Sequence, residues 1–166
     1  MRVEGPALKV EGANIDTDVL YPGSFLNIDD PAHMKPHLFE GLDPGLRDGL
    51  KPGTILVVGA NFGCGSSREH VPLAMKAWGI GAVLGQSFAR IFYRNCINLA
   101  LPIVVCPDGA KAAHSGSLIT IDTDGAVTID DGTYQVPPIP DFMQDMISSG
   151  GLVPWARRRL AAGDIA

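Results

Sequence analysis

Three apolar runs alternate with two helical patterns in the middle of the chain, and this order constrains the fold more than any other feature. The runs at residues 54–60, 80–84 and 102–106 have the length and composition of buried strands. Between them, apolar residues recur at helical spacing over residues 71–78 and 88–99. Elements that alternate in this way form a parallel sheet with right-handed crossovers. The sequence therefore predicts an α/β fold with a central βαβαβ unit.

The flanking segments add strands and helices around that unit. Residues 7–12 have the pattern of a short edge strand. After Pro107 the sequence alternates with period two on both sides of Asp124-Gly125, which is a strong hairpin signal. We predict hairpin strands at 117–122 and 126–130, a third strand at 133–136, and helices at 140–148 and 154–160.

A long segment without apolar periodicity, residues 27–53, interrupts these patterns and contains four prolines. Long segments of this kind in a small domain are usually functional loops or lids. We therefore predict a mobile loop there, with a short helix near residues 37–40. The 166 residues suffice for one well-buried domain, and we expect residues 1–166 to form a single one.

Charge, hydropathy and cysteine content exclude several classes of function. The net charge of −5 argues against nucleic acid as a partner. No segment is apolar over the length of a membrane span, and the first five residues have no apolar signal-peptide core. The three cysteines (Cys64, Cys96 and Cys106) are odd in number and far apart, which favours a reduced protein over a disulfide framework. We expect a cytoplasmic protein that binds neither nucleic acid nor membranes.

A glycine-rich turn, residues 61–70, links the first strand of the βαβαβ unit to its helix. Its sequence, Asn-Phe-Gly-Cys-Gly-Ser-Ser-Arg-Glu-His, brings hydroxyls, a guanidinium, a carboxylate and an imidazole to the carboxyl end of a strand. Open α/β sheets bind small ligands at that edge, and glycines let backbone amides approach an anion. Pro72 cannot lie deep inside a helix, so the helix either begins near Glu69 or begins earlier and is kinked.

Two side chains of this turn suit proton abstraction beside a carboxylate. The Ser66 hydroxyl becomes a useful base only where donors stabilise its alkoxide, and backbone amides and Arg68 are candidate donors. The planar guanidinium of Arg68 also suits bidentate binding of a substrate carboxylate. The competing interpretation is that Ser66 and Ser67 cap the helix while Glu69 completes a capping box. From the residue types alone, both interpretations stay open.

Other polar residues give weaker signals. Residues 14–18, Asn-Ile-Asp-Thr-Asp, form either an Asx-turn at a strand end or the source of a carboxylate that orients Arg68 or the substrate. His33 and His37 have the spacing of metal ligands on a helix. Because no third ligand accompanies them, we interpret them as part of a solvated loop and expect no metal site in the chain.

The helix predicted at residues 88–99 combines aromatic and arginine side chains. Phe88 and Phe92 fit its buried stripe, whereas Arg90, Tyr93 and Arg94 point elsewhere. Arginine and aromatic residues are enriched in the cores of protein interfaces. We therefore predict that the latter three contact a protein partner.

Five motifs, taken in order along the chain, give a family resemblance. They are residues 14–18, Pro22-Gly23, residues 59–70, residues 87–95 and residues 150–154. Together they resemble the small subunits of 3-isopropylmalate dehydratase and homoaconitase, which are similar to the swivelling fourth domain of aconitase. The resemblance extends over nearly the whole chain, and the motif at 59–70 is its most specific part.

The resemblance implies a swivelling β/β/α domain that docks on a much larger iron–sulfur subunit, in a heterodimer or heterotetramer. That family removes water from a 2-hydroxy di- or tricarboxylate and adds it back elsewhere. By resemblance, Ser66 is the catalytic serine and Arg68 binds a substrate carboxylate. Asp18 matches an active-site aspartate, and Ser67 a neighbour that helps hold the alkoxide or the substrate. The chain has no cysteine motif suited to cluster ligation, so the 4Fe-4S cluster is expected on the large subunit.

One departure from the family concerns the choice of substrate. Many relatives carry an arginine just after the Pro-Gly turn, where this chain has Asn27 and no arginine among residues 24–30. Together with Phe25 and Leu26, Asn27 favours an apolar substituent, as on isopropylmalate or dimethylmalate, over the extra carboxylate of a homocitrate-type substrate. The resemblance thus leads us to expect the 3-isopropylmalate dehydratase type, in leucine biosynthesis, with homoaconitase or a dimethylmalate-type dehydratase as the alternatives.

Two further classes of function compete with this enzyme. One is a binding module that captures small carboxylates through the glycine-rich turn without catalysis. The other, a nucleotide-binding domain, is disfavoured because residues 59–63 lack the spaced-glycine fingerprint and no P-loop lysine follows.

Overall fold

The computed structural model describes residues 1–164 and is built around one seven-stranded sheet. The strands are β1 (Arg2–Val10), β2 (Ile55–Val58), β3 (Ala82–Gly85), β4 (Ile103–Val105), β5 (Leu118–Asp122), β6 (Ala126–Ile129) and β7 (Gly132–Gln135). Their order across the sheet is β4-β3-β2-β1-β5-β6-β7. The first four run parallel to one another, and β5 to β7 continue the sheet as an antiparallel meander.

Helices fill most of the connections between these strands. The α-helices are α1 (Thr17–Leu20), α2 (Pro31–Met34), α3 (His70–Ala77), α4 (Arg90–Asn98), α5 (Pro107–Ala112), α6 (Asp141–Ser148) and α7 (Leu152–Ala162). Short 3₁₀ helices cover Gly23–Phe25, Lys35–His37 and Pro44–Gly49. Each helix and strand predicted after residue 54 is present, with its ends within two residues of those predicted. Among residues 1–164, no helix combines the length and hydropathy that crossing a membrane requires.

The first strand lies in the centre of the sheet, so the prediction of an edge strand at residues 7–12 was wrong. Residues 7–10 of β1 pair in parallel with β2, and residues 2–6 pair antiparallel with β5. Arg2 and Glu4 are exposed in that second pairing. Because both are charged, the first half of the strand has no apolar run that a hydropathy pattern could detect. One strand thus joins the parallel half of the sheet to its antiparallel half.

A hydrophobic core lies on each face of the sheet. Leu56 and Val58 of β2 belong to the first core, whereas Ile55 and Val57 belong to the second, because successive side chains of a strand point to opposite faces. The first core also contains the buried faces of α3 and α4, and the second contains that of α5. With both faces covered, the parallel strands β2, β3 and β4 contain no polar side chain. The predicted α/β class is confirmed.

The segment 27–53 contains α2 and two of the 3₁₀ helices. The helical part nearest the predicted one covers residues 31–37, so it lies earlier in the chain than the expected 37–40. Leu38 and Phe39 are fully buried in the first core and attach the segment to the body of the domain. The motion of the segment stays a prediction.

Prolines lie in the first turns of several helices, among them α3 and α5. α3 begins at His70, which places Pro72 in the first turn, where a missing N–H forfeits no intrahelical hydrogen bond. This is the first of the two arrangements that the sequence left open. The sequence did not predict α5, because Pro107-Asp108-Gly109 has the composition of a turn; in the structure, Pro107 is the first residue of that helix.

Candidate active site

Connections that follow the carboxyl ends of β1, β2 and β3 meet at one edge of the sheet. The loop after β1 is hydrogen-bonded along the glycine-rich turn: Gly63 N donates to Ile15 O and Thr17 N donates to Cys64 O, both at 2.9 Å. The loop after β3 joins them through a bridge between Phe62 and Phe88. These backbone contacts fix the glycine-rich turn against two neighbouring connections.

Two glycines allow the turn to approach its neighbours closely. Gly63 and Gly65 have φ values of 78° and 88°, a region that side-chain-bearing residues rarely adopt. A Cβ atom on Gly63 would lie 2.3 Å from Phe92 Cγ, and one on Gly65 would lie 2.3 Å from a carboxylate oxygen of Asp16. Both positions therefore require glycine for space as well as for backbone conformation.

The hydroxyl of Ser66 lies between a carboxylate and a guanidinium. Ser66 Oγ donates a hydrogen bond to Asp18 Oδ1 at 3.1 Å, and Arg68 Nε donates to Ser66 Oγ at 3.1 Å. Arg68 Nη2 pairs with the same Asp18 oxygen at 2.6 Å, and Arg68 Nη1 donates to the Tyr21 carbonyl at 2.7 Å. We refer to Ser66, Asp18, Arg68 and the Tyr21 carbonyl as the Ser66 network.

The two charged members of the Ser66 network differ in exposure. The Arg68 side chain is 13% exposed and the Asp18 side chain is 60% exposed. All three nitrogens of Arg68 are engaged, but a guanidinium has five N–H groups, so one N–H on each terminal nitrogen remains to bind a ligand. The network thus combines a held hydroxyl, a donor aimed at its oxygen and an unused pair of N–H groups suited to a carboxylate.

The structure contradicts the capping interpretation of Ser66 and Ser67. The N-cap of α3 is Glu69, and no side chain caps that helix end. Ser66 is used in the network instead, and Ser67 Oγ accepts a hydrogen bond from Asn95 Nδ2 at 3.4 Å. Ser67 is therefore next to the network in the chain but is held from a different element, α4.

Asn27, the predicted substrate-selecting residue, is exposed in the loop that follows the 3₁₀ helix Gly23–Phe25. The residue before it, Leu26, is attached beside the glycine-rich turn, because its carbonyl lies 3.1 Å from His70 Nε2. The His70 ring stacks on Tyr21, with ring centroids 5.2 Å apart. His70 thus connects the loop to the glycine-rich turn, and Asn27 is the exposed residue that follows this connection in the chain.

The residues that the structure describes do not fit an iron–sulfur cluster. Cys96 is buried in the first core and Cys106 in the second, on opposite faces of the sheet, and burial raises the pKa of both thiols. Residues 1–164 contain no group of three or more His, Cys, Asp or Glu side chains arranged to hold a metal ion. His33 pairs with Asp30 at 3.3 Å, and His37 stacks on Phe25, so the two histidines are engaged separately.

The predicted protein contact residues Arg90, Tyr93 and Arg94 line a groove of about 540 Å³. Phe142 of α6 and Val105 of β4 are other exposed parts of its lining, and the sequence pattern gave no sign that they join it. Phe92 is buried and Phe88 packs against the first core, as their helical spacing predicted. The groove shares α4 with Asn95, the residue that contacts Ser67.

The fold and the glycine-rich turn define an aconitase-type C-terminal domain. The family model described as "Aconitase C-terminal domain" matches residues 1–107. A 3-isopropylmalate dehydratase small subunit from Thermodesulfovibrio yellowstonii is 44% identical over 99% of this chain and 99% of that protein. One from Aliarcobacter butzleri is 48% identical over 90% of this chain and 91% of that protein.

A solved structure gives the same result in three dimensions. The crystal structure of a 3-isopropylmalate dehydratase from Methanocaldococcus jannaschii matches with a TM-score of 0.90 and 35% identity, and the match covers 99% of this chain and 98% of that one. The chain belongs to the family of 3-isopropylmalate dehydratase small subunits. The resemblance inferred from the five motifs is confirmed.

Sequence reasoning missed three residues that hold the site. The Tyr21 carbonyl binds Arg68, the Thr17 hydroxyl binds the Ser66 carbonyl, and Asn95 binds Ser67. A backbone carbonyl has no signature in a sequence. Thr17 lies in the 14–18 motif and Asn95 in the 87–95 motif, both of which carried the family resemblance. Membership of these motifs was the one sign in the sequence that the two residues belong to the site.

Proposed function

We propose that this chain is the small subunit of a heteromeric 3-isopropylmalate dehydratase, a hydro-lyase that acts in leucine biosynthesis. The observation that carries the proposal is the position of Ser66 Oγ, which donates to Asp18 and accepts from Arg68 Nε. The family to which the chain belongs supports the activity.

Ser66 takes the proton from the substrate carbon beside a carboxylate. To do so, its oxygen must lose its own proton, and Asp18 Oδ1, which already accepts that hydrogen bond, is the group placed to receive it. Arg68 Nε donates to the same oxygen and stabilises its negative charge. Proton removal and departure of hydroxide give an unsaturated diacid, and the reverse steps at the neighbouring carbon give the isomer.

Arg68 and Ser67 bind the substrate in this scheme. The two N–H groups of Arg68 that remain outside the network bind one substrate carboxylate and hold the reacting carbon over Ser66. The Ser67 hydroxyl, which accepts from Asn95, has its own O–H free to donate to substrate.

A large subunit completes the site and carries the 4Fe-4S cluster. A cluster held there would supply Lewis-acid chemistry toward the substrate hydroxyl and a carboxylate. Ser66, Ser67 and Asp18 are all exposed in this chain, whereas an alkoxide needs a site from which water is excluded. We place the covering surface of the large subunit over the glycine-rich turn and the adjacent groove on α4. Such an enzyme works in the cytoplasm.

The loop around Asn27 favours a substrate with an apolar substituent. Phe25 and Leu26 offer apolar surface there, and the neighbouring acids Asp29 and Asp30 repel a third carboxylate. The proposal therefore names isopropylmalate as the preferred substrate over homocitrate-type acids, with dimethylmalate as the nearest alternative.

The test combines this chain with a 3-isopropylmalate dehydratase large subunit and measures dehydration of 3-isopropylmalate by the absorbance of the unsaturated product. Activity is expected from the mixture, and it should be lost with Ser66→Ala. The control is Ser148→Ala, because Ser148 is exposed and bonds only within its own helix. A mixture that binds 3-isopropylmalate but never turns it over would support the carboxylate-binding module instead.

A further inference from the structure

We propose that Thr17 is a positioning residue for Ser66, and that its buried hydroxyl fixes the turn from which the Ser66 side chain emerges. This inference rests on the proposed function, because it assigns a role relative to the reaction at Ser66. Thr17 precedes Asp18 in the 14–18 motif. Asp18 contacts the Ser66 hydroxyl, whereas Thr17 contacts the Ser66 backbone.

Thr17 holds the glycine-rich turn at two points. Its Oγ1 donates to the Ser66 carbonyl at 2.8 Å, and its backbone N–H donates to the Cys64 carbonyl at 2.9 Å. These two carbonyls lie on either side of Gly65, whose φ of 88° lies in the left-handed region that favours glycine. The two hydrogen bonds therefore hold the backbone on both sides of Gly65.

Thr17 is itself fixed by the structure around it. The residue is only 2% exposed, and its carbonyl accepts the Tyr21 N–H at 2.9 Å within the short helix α1. A rigid, buried donor can fix the Ser66 backbone, whereas a surface side chain would lose that contact to water. Because the Ser66 carbonyl is bound on the buried side, the Ser66 hydroxyl is directed to the exposed side, towards Asp18 and Arg68.

The hydroxyl of Thr17 acts through the backbone and not on the reacting atoms. Its hydrogen bond is to the carbonyl of Ser66, 49 residues away in the chain, and not to Ser66 Oγ. Two of the three contacts of Arg68, to Asp18 and to the Tyr21 carbonyl, involve neither the Thr17 side chain nor Ser66. Loss of the hydroxyl should therefore displace the base while leaving the carboxylate-binding group in place.

The experiment uses the reconstituted complex with the large subunit and compares Thr17→Val with Thr17→Ser. Valine keeps the shape of threonine but removes the donor, whereas serine keeps the donor and loses one methyl group. Since a misplacement of about 1 Å lowers rates by up to ~100-fold, Thr17→Val should lower kcat by about 10- to 100-fold and leave KM nearly unchanged. Thr17→Ser should restore most of kcat. The thermal midpoint and the affinity for the large subunit are measured for each variant.

Several results would overturn the inference. They are an unchanged kcat in a folded Thr17→Val protein, an equal loss of kcat in both variants, and a rise in KM alone. If the valine variant does not fold, Thr17→Ala is compared with Thr17→Ser, which differs from it by the hydroxyl alone, and the same kcat difference is required. Ser66→Ala separates this inference from the proposed function: full activity in Ser66→Ala refutes both, whereas an inactive Ser66→Ala beside a fully active Thr17→Val refutes only the role of Thr17.

Discussion

Replacing Arg68 by lysine tests whether the shape of the guanidinium, and not merely its charge, makes the site work. Arg68 places its three nitrogens on the Ser66 hydroxyl, the Tyr21 carbonyl and Asp18. A lysine ammonium is a single point of charge on a flexible stem and cannot replace a planar fork that spans three acceptors. We expect it to stay with Asp18, its strongest partner, and to leave the other two.

The expected effects of Arg68→Lys on kcat and KM follow from the hydrogen bonds that are lost. Removal of one donor from a developing oxyanion lowers kcat by ~10²–10³-fold, which corresponds to about 2.7–4 kcal/mol of barrier. A charge-assisted hydrogen bond to the substrate contributes about 1.5–3 kcal/mol, so KM should also rise by ~10- to 100-fold. Arg68→Lys is therefore expected to impair both kinetic constants.

Steady-state kinetics of the reconstituted complex measure both effects. The matched control is Arg47→Lys, because Arg47 also pairs with a carboxylate, Glu40, at 2.6 Å, but lies outside the Ser66 network. Complex formation is measured separately, so that a loss of assembly is not mistaken for a loss of chemistry. A kcat for Arg68→Lys within about threefold of the wild-type value would refute the role of the fork.

Three further predictions concern the turn, the loop and the groove. Gly63→Ala should lower the free energy of unfolding by about 2–5 kcal/mol, because alanine disfavours the left-handed backbone there and its Cβ would clash with Phe92. Chemical denaturation measures this change. A loss below about 1 kcal/mol would contradict the packing argument. Asn27→Arg should shift the ratio of kcat/KM for a homocitrate-type acid to kcat/KM for 3-isopropylmalate by about 10-fold or more in favour of the former. The control is Asn27→Ala. An unchanged ratio would show that Asn27 does not select the substrate. Arg94→Glu should weaken binding of the large subunit on the order of tenfold in a titration. The control is Lys111→Glu, because Lys111 is also exposed but lies outside the groove, and it should leave the affinity unchanged. Equal affinities of the two variants would show that the groove on α4 is not the interface.

The parallel half of the fold was predictable because its strands are buried on both faces. Every residue of β2 and β3 is buried, and such strands give uninterrupted apolar runs that a hydropathy pattern detects. The hairpin of β5 and β6 was predictable for a different reason, since its alternation and the Asp124-Gly125 turn are both local signals.

The start of the chain was not predictable in the same way. β1 carries Arg2 and Glu4 on its exposed side and Pro6 within the strand, so its local pattern argues against a central strand. Pairing with two strands that lie far away in the sequence outweighs this pattern. Tertiary contacts of this kind override local preference and leave no trace in a short window.

The candidate site was predictable in its reactive groups but not in its support. Ser66 and Arg68 stood out because a glycine-rich turn follows a buried strand, and Asp18 entered through the family resemblance. The structure brings the three together, although their roles in catalysis stay predictions. The Thr17 contact joins residues 49 positions apart through a backbone carbonyl, and such a contact depends on the folded geometry alone.

The most direct test of the central claim follows the substrate proton itself. The complex with the large subunit is incubated in deuterated water, and uptake of deuterium at the carbon beside the substrate carboxylate is followed by NMR. Loss of a general base reduces such a step by about 10²–10⁴-fold, so Ser66→Ala should almost abolish the exchange while the complex still assembles and binds substrate. Exchange at the wild-type rate in an assembled Ser66→Ala complex would show that another group takes the proton.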